Sequence, residues 1–140
     1  MKTINYLILF ISLAATINLS SCKKDEKADS KVVGRWTFQK IDYVTLEAGI
    51  KTTSTETGDP GDFFQFDANG KFSASTWSNK IETSTWEVVN DKILKVKPTD
   101  EIDWPEAGME IKVLTGNSLV LYEKTVDGSN YDESTVYLSK

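Results

Sequence analysis

The feature that most constrains the fold is a period-two alternation of apolar and polar residues that begins near Val32. Residues 62–67 read DFFQFD, and after Asn69-Gly70 the chain returns as KFSASTW. Asn-Gly is a strong signal for a two-residue hairpin turn because both residues accept positive φ angles. Alternating segments that are rich in β-branched and aromatic residues and bounded by such turns are typical of antiparallel strands. The pattern therefore predicts an all-β domain.

The order of the turns predicts how the strands connect. No stretch after the first 21 residues has a convincing helical period, so each strand is expected to pair with the next in an antiparallel meander. A meander of about eight strands removes its exposed edges by closing into an up-and-down barrel. A two-sheet sandwich has strands of similar length, but sequential turns favour the barrel. The predicted strands are 32–44, 62–67, 71–77, 83–89, 92–97, 109–114, 118–124 and 131–138, with a less sharply bounded strand within 45–57.

One alternating face of these strands carries large apolar side chains and is expected to face the barrel interior. The lumen of an eight-stranded barrel is either filled by side chains or able to hold one small ligand, and the sequence leaves both outcomes open. Trp77 and Trp104 lie near strand ends or in loops, where they could border a mouth, face a partner or cap the core. The candidate ligand-lumen residues are Phe64, Phe66, Phe72, Trp86, Val88, Leu94, Val96, Leu119 and Leu121, and Trp36, Ile111 and Val113 share their face.

The first 21 residues have the three-part pattern of a secretory signal. Lys2 is followed by an uncharged, mostly apolar run over residues 4–19 and then by the small pair Ser20-Ser21. A transmembrane helix needs about 20 predominantly apolar residues. This run is shorter and is interrupted by polar residues such as Asn5 and Asn18. A cleaved signal peptide over residues 1–21 is therefore predicted.

Cys22, the single cysteine of the chain, follows this signal directly. Leu19-Ser20-Ser21-Cys22 resembles the lipobox of bacterial lipoproteins, which implies that the Cys22 thiol carries a diacylglycerol and that the new amino terminus is acylated as well. Two or more acyl chains give stable membrane anchoring. An incidental cysteine in a plain signal peptide is the alternative.

Residues 22–31 are charged and contain almost no apolar bulk, so they predict a flexible tether between the membrane and a domain over residues 32–140. The charges after Cys22 resemble the export signal of Bacteroidetes-type lipoproteins, although a solvated linker has the same composition. The expected location is the cell envelope of a Gram-negative bacterium, with a lipid anchor in the outer membrane and the leaflet left open.

Composition excludes several classes of function. The formal net charge is −5, and Arg35 is the single arginine. Nucleic-acid affinity comes chiefly from neutralisation of phosphates by Lys and Arg, so nucleic acid is not an expected partner. The chain has no histidine. With Cys22 assigned to lipid, Ser-His, Cys-His and histidine-based metal chemistry are excluded.

Acidic residues are concentrated in two expected loops. Neither loop has the Asp-x-Asp-x-Asp-Gly spacing that preorganises a Ca²⁺ site, and nothing pairs two carboxylates as in a glycosidase. Solvated surface loops are therefore expected, with no enzymatic activity, no metal and no cofactor. The residues are Asp100, Glu101, Asp103 and Glu106 around Trp104-Pro105, and Glu56, Asp59 and Asp62 around Pro60-Gly61.

Three segments of the chain resemble a known family. Val33-Gly34-Arg35-Trp36 resembles the Gly-x-Trp start of lipocalins, and VVGRWTFQKI, FFQFDANGKF and TSTWEVVNDKILKV are similar to the short lipocalin-like domains of Bacteroidetes lipoproteins. The resemblance implies that Trp36 plugs the closed end of the barrel and that Gly34 lets the backbone bend there. Larger lipocalins often pack an arginine of the last strand on this tryptophan. Here the end of the chain offers Lys140 instead.

Two functions of different class follow from this combination. The first is a lipid-anchored, lipocalin-like envelope protein that binds a small apolar molecule in its lumen. The second is an envelope interaction module with a packed barrel, whose loops or outer face contact a protein or a glycan. The protein partner of such a module is not defined by the sequence.

Overall fold

The computed structural model describes residues 27–76 and 80–140. These residues form nine antiparallel strands and one short helix. The elements are α1 (Ala28–Val32), β1 (Gly34–Glu47), β2 (Ile50–Thr57), β3 (Phe63–Phe66), β4 (Lys71–Ser75), β5 (Glu82–Val89), β6 (Ile93–Val96), β7 (Met109–Leu114), β8 (Ser118–Asp127) and β9 (Asn130–Ser139).

Eight of the strands close into a barrel. Strands β3 to β9 pair in sequence order, and β1 completes the ring by pairing with both β3 and β9. Residues 34–37 of β1 pair with β3, while residues 37–46 pair with β9 on the other side. The predicted all-β, up-and-down barrel is therefore confirmed.

Strand β2 lies outside this ring, which corrects the predicted strand within 45–57. Residues 45–47 extend β1, Ala48 and Gly49 form a turn, and β2 pairs with residues 40–47 of β1. Every residue of β2 is exposed. A barrel strand needs apolar side chains at alternate positions, and IKTTSTET does not supply them.

One end of the barrel, which we call the base, is closed by packed side chains around Trp36. Trp36 is fully buried, and its indole Nε1 donates a hydrogen bond to the carbonyl oxygen of Val32 at 2.7 Å. Lys140 Nζ lies 4.2 Å from the Trp36 ring centroid and donates to the carbonyl oxygen of Val33 at 2.9 Å. Lys140, at the end of the chain, thus packs on the tryptophan that closes the base.

Gly34 makes this approach possible. Its φ angle is +129°, and a Cβ atom on it would lie 3.0 Å from Lys140 Cε and Nζ. Side chains rarely adopt this backbone conformation, whereas glycine does so readily. The glycine therefore both bends the start of β1 and leaves room for the lysine.

Helix α1 corrects the last part of the predicted tether. Ala28 and Val32, four residues apart, are both buried, and the backbone N–H of Ala28 donates to Asp91 Oδ1 at 3.2 Å. The chain is therefore ordered against the base from residue 28, because Val32 and Ala28 supply the apolar face that the rest of the segment lacks. No helix in residues 27–76 and 80–140 is long and apolar enough to span a membrane.

Two irregular positions change which side chains face inward. The pairing of β1 with β9 shifts between Phe38 and Lys40, so Gln39 is an extra residue. A bulge of this kind bends the strand and reverses the alternation after it. The pairing of β7 with β8 shifts in the same way between Ile111 and Val113. Val113 is 40% exposed and does not share the interior face that the sequence predicted for it.

Candidate functional site

The end of the barrel opposite Trp36, which we call the mouth, contains a cavity of about 470 Å³. Its floor is apolar and is formed by side chains from five strands. Phe38, Phe64, Phe72, Met109 and Val136 line it. Phe38 directly precedes the Gln39 bulge in β1. Ile41 and Tyr43, which follow the bulge, line the cavity as well.

The loop between β6 and β7 folds over the mouth and inserts Trp104. Trp104 is only 6% exposed, and its ring centroid lies 5.9 Å from those of both Phe64 and Phe72. Thr99 holds the loop closed, since its Oγ1 accepts a hydrogen bond from the backbone N–H of Ile102 at 3.0 Å. Of the three roles open from the sequence, Trp104 therefore caps the core and borders the mouth, and its ring is turned away from solvent. Trp77 lies outside the described residues.

The indole N–H of Trp104 is buried and has no hydrogen-bond partner among the described residues. Tryptophan usually finds a partner for this group when it is buried, and an unpaired buried donor costs about 1–3 kcal/mol. The two other described tryptophans follow that rule. Trp36 donates to Val32, and Trp86 Nε1 donates to the carbonyl oxygen of Asp67 at 3.0 Å. Among the described tryptophans, the one with an unpaired indole N–H is thus the one at the mouth.

Polar side chains form the rim of the cavity. Glu82, Glu101, Asp103 and Glu123 line it, and no lysine or arginine of residues 27–76 and 80–140 does so. Glu123 is partly buried, and its Oε1 accepts a hydrogen bond from the hydroxyl of Ser134 at 2.9 Å. Glu101 is exposed and forms an ion pair with Lys80.

The pKa of Tyr43 reflects the negative charges near the rim. Partial burial, and then the negative charges of Glu56 and Glu123, raise the pKa of the Tyr43 phenol. All three causes disfavour the phenolate. The inner wall of the mouth is therefore a region of negative potential that holds the tyrosine in its neutral form.

The nine candidate lumen residues separate into two groups. Phe64 and Phe72 line the cavity, together with Trp104. The others fill the barrel below it as core: Phe66, Leu94, Val96, Leu119 and Leu121 are fully buried, while Trp86 and Val88 are partly buried against them. The lumen is thus filled in its lower part and hollow near the mouth.

Several cavity residues were missed by the sequence interpretation. Ile41 and Tyr43 were missed because the Gln39 bulge changes the phase of β1, and Ile102 and Met109 lie in or beside a loop. Glu123 could have been found, because it continues the alternation of Leu119 and Leu121 and so places a carboxylate on an inward face. An acid at such a position is uncommon unless it has a role.

The two acidic loops also differ from the sequence expectation. Asp62 is 3% exposed, and its Oδ2 accepts a hydrogen bond from the backbone N–H of Asp59 at 2.8 Å, so it organises the turn before β3. Glu101 and Asp103 belong to the loop at the mouth. No group of three or more potential metal ligands occurs among residues 27–76 and 80–140. Cys22 lies outside the described residues.

Comparison with known proteins gives one match. The family model of the lipocalin-like domain matches residues 32–121. No curated protein and no solved structure matches the chain. The matched segment covers the Gly34 and Trp36 base, all strands from β1 to β7 and the start of β8. Together with the closed barrel, this match shows that the chain belongs to the lipocalin-like domain family.

Proposed function

We propose that this protein is anchored by lipid in the envelope of a Gram-negative bacterium and binds one small apolar ligand in the cavity at the barrel mouth. The observation that carries the binding proposal is the cavity itself, in which an aromatic floor meets the buried and unpaired N–H of Trp104. Ligand sites are typically apolar clefts of about 300–1,000 Å³ with a few polar groups, and a cavity of about 470 Å³ falls in this range.

Trp104 gives the ligand a specific point of attachment. A ligand oxygen or other acceptor near the indole would satisfy a donor that has no described partner. In a buried site this exchange favours binding by an amount similar to the penalty that it removes, about 1–3 kcal/mol. We therefore expect bound molecules to be mainly apolar and to carry at least one hydrogen-bond acceptor.

The binding proposal is tested by titrating the purified protein with an environment-sensitive apolar dye. We expect saturable dye fluorescence and a concurrent change in tryptophan emission, and weaker binding in Trp104→Phe. Trp86→Phe is the matched control, because its N–H is paired at the base and it does not line the cavity. A dye signal that does not saturate, or equal weakening by both substitutions, would contradict the proposal.

The anchoring proposal rests on the signal pattern and on Cys22. Cys22→Ala should abolish labelling by a palmitate analogue and release the protein from membranes, because no other cysteine can take the lipid. Labelling of the variant at the level of the native protein would refute lipidation. This experiment does not depend on the barrel and therefore tests location separately from binding.

A second candidate, an interaction module, is favoured by strand β2. Its residues are exposed throughout, and the edge opposite β1 is paired with no described strand. Such an edge can accept another strand. The hollow mouth nevertheless favours the ligand-binding function, since a module that acts only through its outer face needs no cavity.

A further inference from the structure

Four strands form one continuous sheet that runs from the barrel wall, where Leu121 and Val136 are buried, past the mouth, and we call this sheet the extension. It consists of residues 40–47 of β1, 50–57 of β2, 120–127 of β8 and 130–137 of β9. The strands pair without register shifts over these residues. Directly paired residues of antiparallel strands share a face, so the register assigns every side chain of the extension to one of two faces.

The cavity identifies the inner face of the extension. Ser54, Tyr43, Ser134 and Glu123 form one row across the four strands, and the last three line the cavity. Every second residue from this row therefore faces the same side. Ile41, Leu121 and Val136 face the barrel interior, and the residues beyond the row face the space above the mouth. The remaining residues face outward.

The charges of the extension are sorted between these faces. The inner face carries five acidic residues and no lysine or arginine, whereas the outer face carries three lysines and two acids. The inner acids are Glu47, Glu56, Glu123, Asp127 and Asp132, the outer lysines are Lys40, Lys51 and Lys124, and the outer acids are Asp42 and Glu133.

The outer lysines do not neutralise the inner acids. Lys40 Nζ lies 2.6 Å from Asp42 Oδ2, and Lys124 Nζ lies 2.7 Å from Glu133 Oε1. The hydrogen bond from Lys124 is the main reason that the pKa of Glu133 is lowered. Both ion pairs thus form within the outer face. Lys80 compensates part of the rim charge, because it pairs with Glu101 and lies near Glu82. The inner acids and the remaining rim carboxylates outnumber this one lysine and leave a negative potential over the cavity entrance.

Resting on the proposed function, we propose that the cavity selects apolar molecules that carry a positively charged amine and disfavours apolar carboxylates such as fatty acids. The amine would lie at the rim beside Glu123 and Glu82, and the apolar body would contact the aromatic floor. The unpaired N–H of Trp104 is an independent sign that this cavity accommodates a ligand. A protonated amine has no acceptor for this N–H, so we expect the preferred ligand to carry an acceptor group in addition to the amine. Carboxylates and amines of one size have the same apolar contact, so polar groups decide between them. A carboxylate could accept from the Trp104 N–H, but we expect the several carboxylates of the rim to outweigh this single donor.

Three probes with the same alkyl chain separate charge from size: decylamine, decanol and decanoate. Each is titrated against the purified protein by displacement of the apolar dye. We expect decylamine to bind about tenfold or more tightly than decanoate, with decanol between them. Higher salt should reduce the difference, because the acids at the rim are partly exposed.

Glu123→Gln tests the named carboxylate directly. Glutamine keeps the shape and the acceptor for Ser134 but removes the charge. We expect decylamine to weaken by about two- to fivefold, the size of one partly exposed ion pair, decanoate to gain affinity and decanol to stay unchanged. Glu87→Gln on the outward face of β5 is the matched control and should change none of the three.

The outcomes distinguish this inference from the function on which it rests. Absence of saturable dye binding overturns both. Bound dye that none of the three probes displaces overturns charge selection alone. Binding of all three with equal affinity, or with decanoate tightest, leaves a ligand-binding protein and overturns charge selection. The same result follows if Glu87→Gln shifts decylamine as much as Glu123→Gln, since the effect would then come from net charge rather than from the rim.

Discussion

The base and the mouth of the barrel use similar residues in different ways. At the base, Trp36 and Trp86 both pair their indole N–H groups with backbone carbonyls. At the mouth, Trp104 is as buried as a core residue but leaves its N–H unpaired beside a cavity. The indole N–H groups at the base are thus paired within the chain, whereas the N–H of Trp104 has no partner among the described residues. This difference separates the part of the molecule that maintains the fold from the part available for a ligand.

The two ends also differ in how charge is treated. Lys140 lies over Trp36 and bonds to the backbone of Val33, so the cation at the base has partners within the protein. The carboxylates Glu82 and Glu123 line the mouth with no lysine or arginine among the lining residues. The lysine at the base is therefore paired within the protein, whereas among the described residues the carboxylates of the mouth have fewer internal partners: Ser134 for Glu123 and Lys80 for Glu101.

The largest expected effect comes from removing the tryptophan at the base. Trp36→Ala should lower the free energy of unfolding by about 3–5 kcal/mol, because it empties a fully buried site and removes a hydrogen bond. Trp104→Ala should lower it by less, since one side of that ring already borders a cavity. Urea unfolding followed by circular dichroism measures both values. Equal losses would show that the mouth tryptophan is as structural as the base tryptophan.

Gly34→Ala tests the backbone of the base with a single methyl group. The φ angle of +129° and the closeness of Lys140 to the added Cβ should together lower the free energy of unfolding by about 1–3 kcal/mol. Gly116→Ala is the control, because nothing lies within 4 Å of its added Cβ. Thermal unfolding compares the two variants. A loss no larger than that of Gly116→Ala would show that the base does not require glycine at position 34.

Trp86→Phe and Trp104→Phe compare the stability that a paired and an unpaired indole N–H contribute at the two ends of the barrel. Trp86→Phe should lower the free energy of unfolding by about 0.5–1.5 kcal/mol, since it deletes a hydrogen bond to the carbonyl of Asp67. The N–H that Trp104→Phe deletes has no described partner. Its stability loss should therefore be smaller and come only from reduced ring area. Urea unfolding without ligand measures the pair, and the reverse order would contradict the comparison.

The base was more readable from the sequence than the mouth. The turn between β3 and β4 lies where Asn69-Gly70 predicts it, and Phe66 pairs with Phe72 as the alternation requires. Its geometry differs from the prediction: Gly70 has a φ angle of +82° and its N–H donates to the carbonyl oxygen of Asp67, whereas Asn69 is not at a positive φ. Such turns and alternation fix strand order without knowledge of distant contacts. They were sufficient to predict the barrel and most of its core.

The mouth depends on features that leave weak marks in the sequence. The bulge at Gln39 has no distinctive residue, yet it turns Ile41 and Tyr43 toward the cavity. The position of Trp104 depends on a loop that closes through Thr99, and loop geometry does not follow from alternation. The helical turn over Ala28–Val32 is too short to show a period. The geometry of the candidate site at the mouth therefore depends on contacts between residues far apart in the sequence.

The smallest and most local prediction concerns the phenol of Tyr43. Its pKa is raised by burial and then by the charges of Glu56 and Glu123, so removing one charge should bring the pKa down toward the ordinary value for tyrosine. We expect Glu123→Gln to lower the Tyr43 midpoint in an alkaline titration followed by NMR of ring-labelled tyrosine. Burial remains in the variant, so the pKa should fall only part of the way.

Glu133→Gln is the matched control for this titration. Glu133 lies on the neighbouring strand and faces outward, where it pairs with Lys124 and does not contribute to the raised pKa of Tyr43. A fall in the Tyr43 midpoint with Glu123→Gln alone would show that the negative potential belongs to the inner face. Equal shifts in both variants would mean that Tyr43 senses only the net charge of the protein, and the sorted faces would then have no local effect at the mouth.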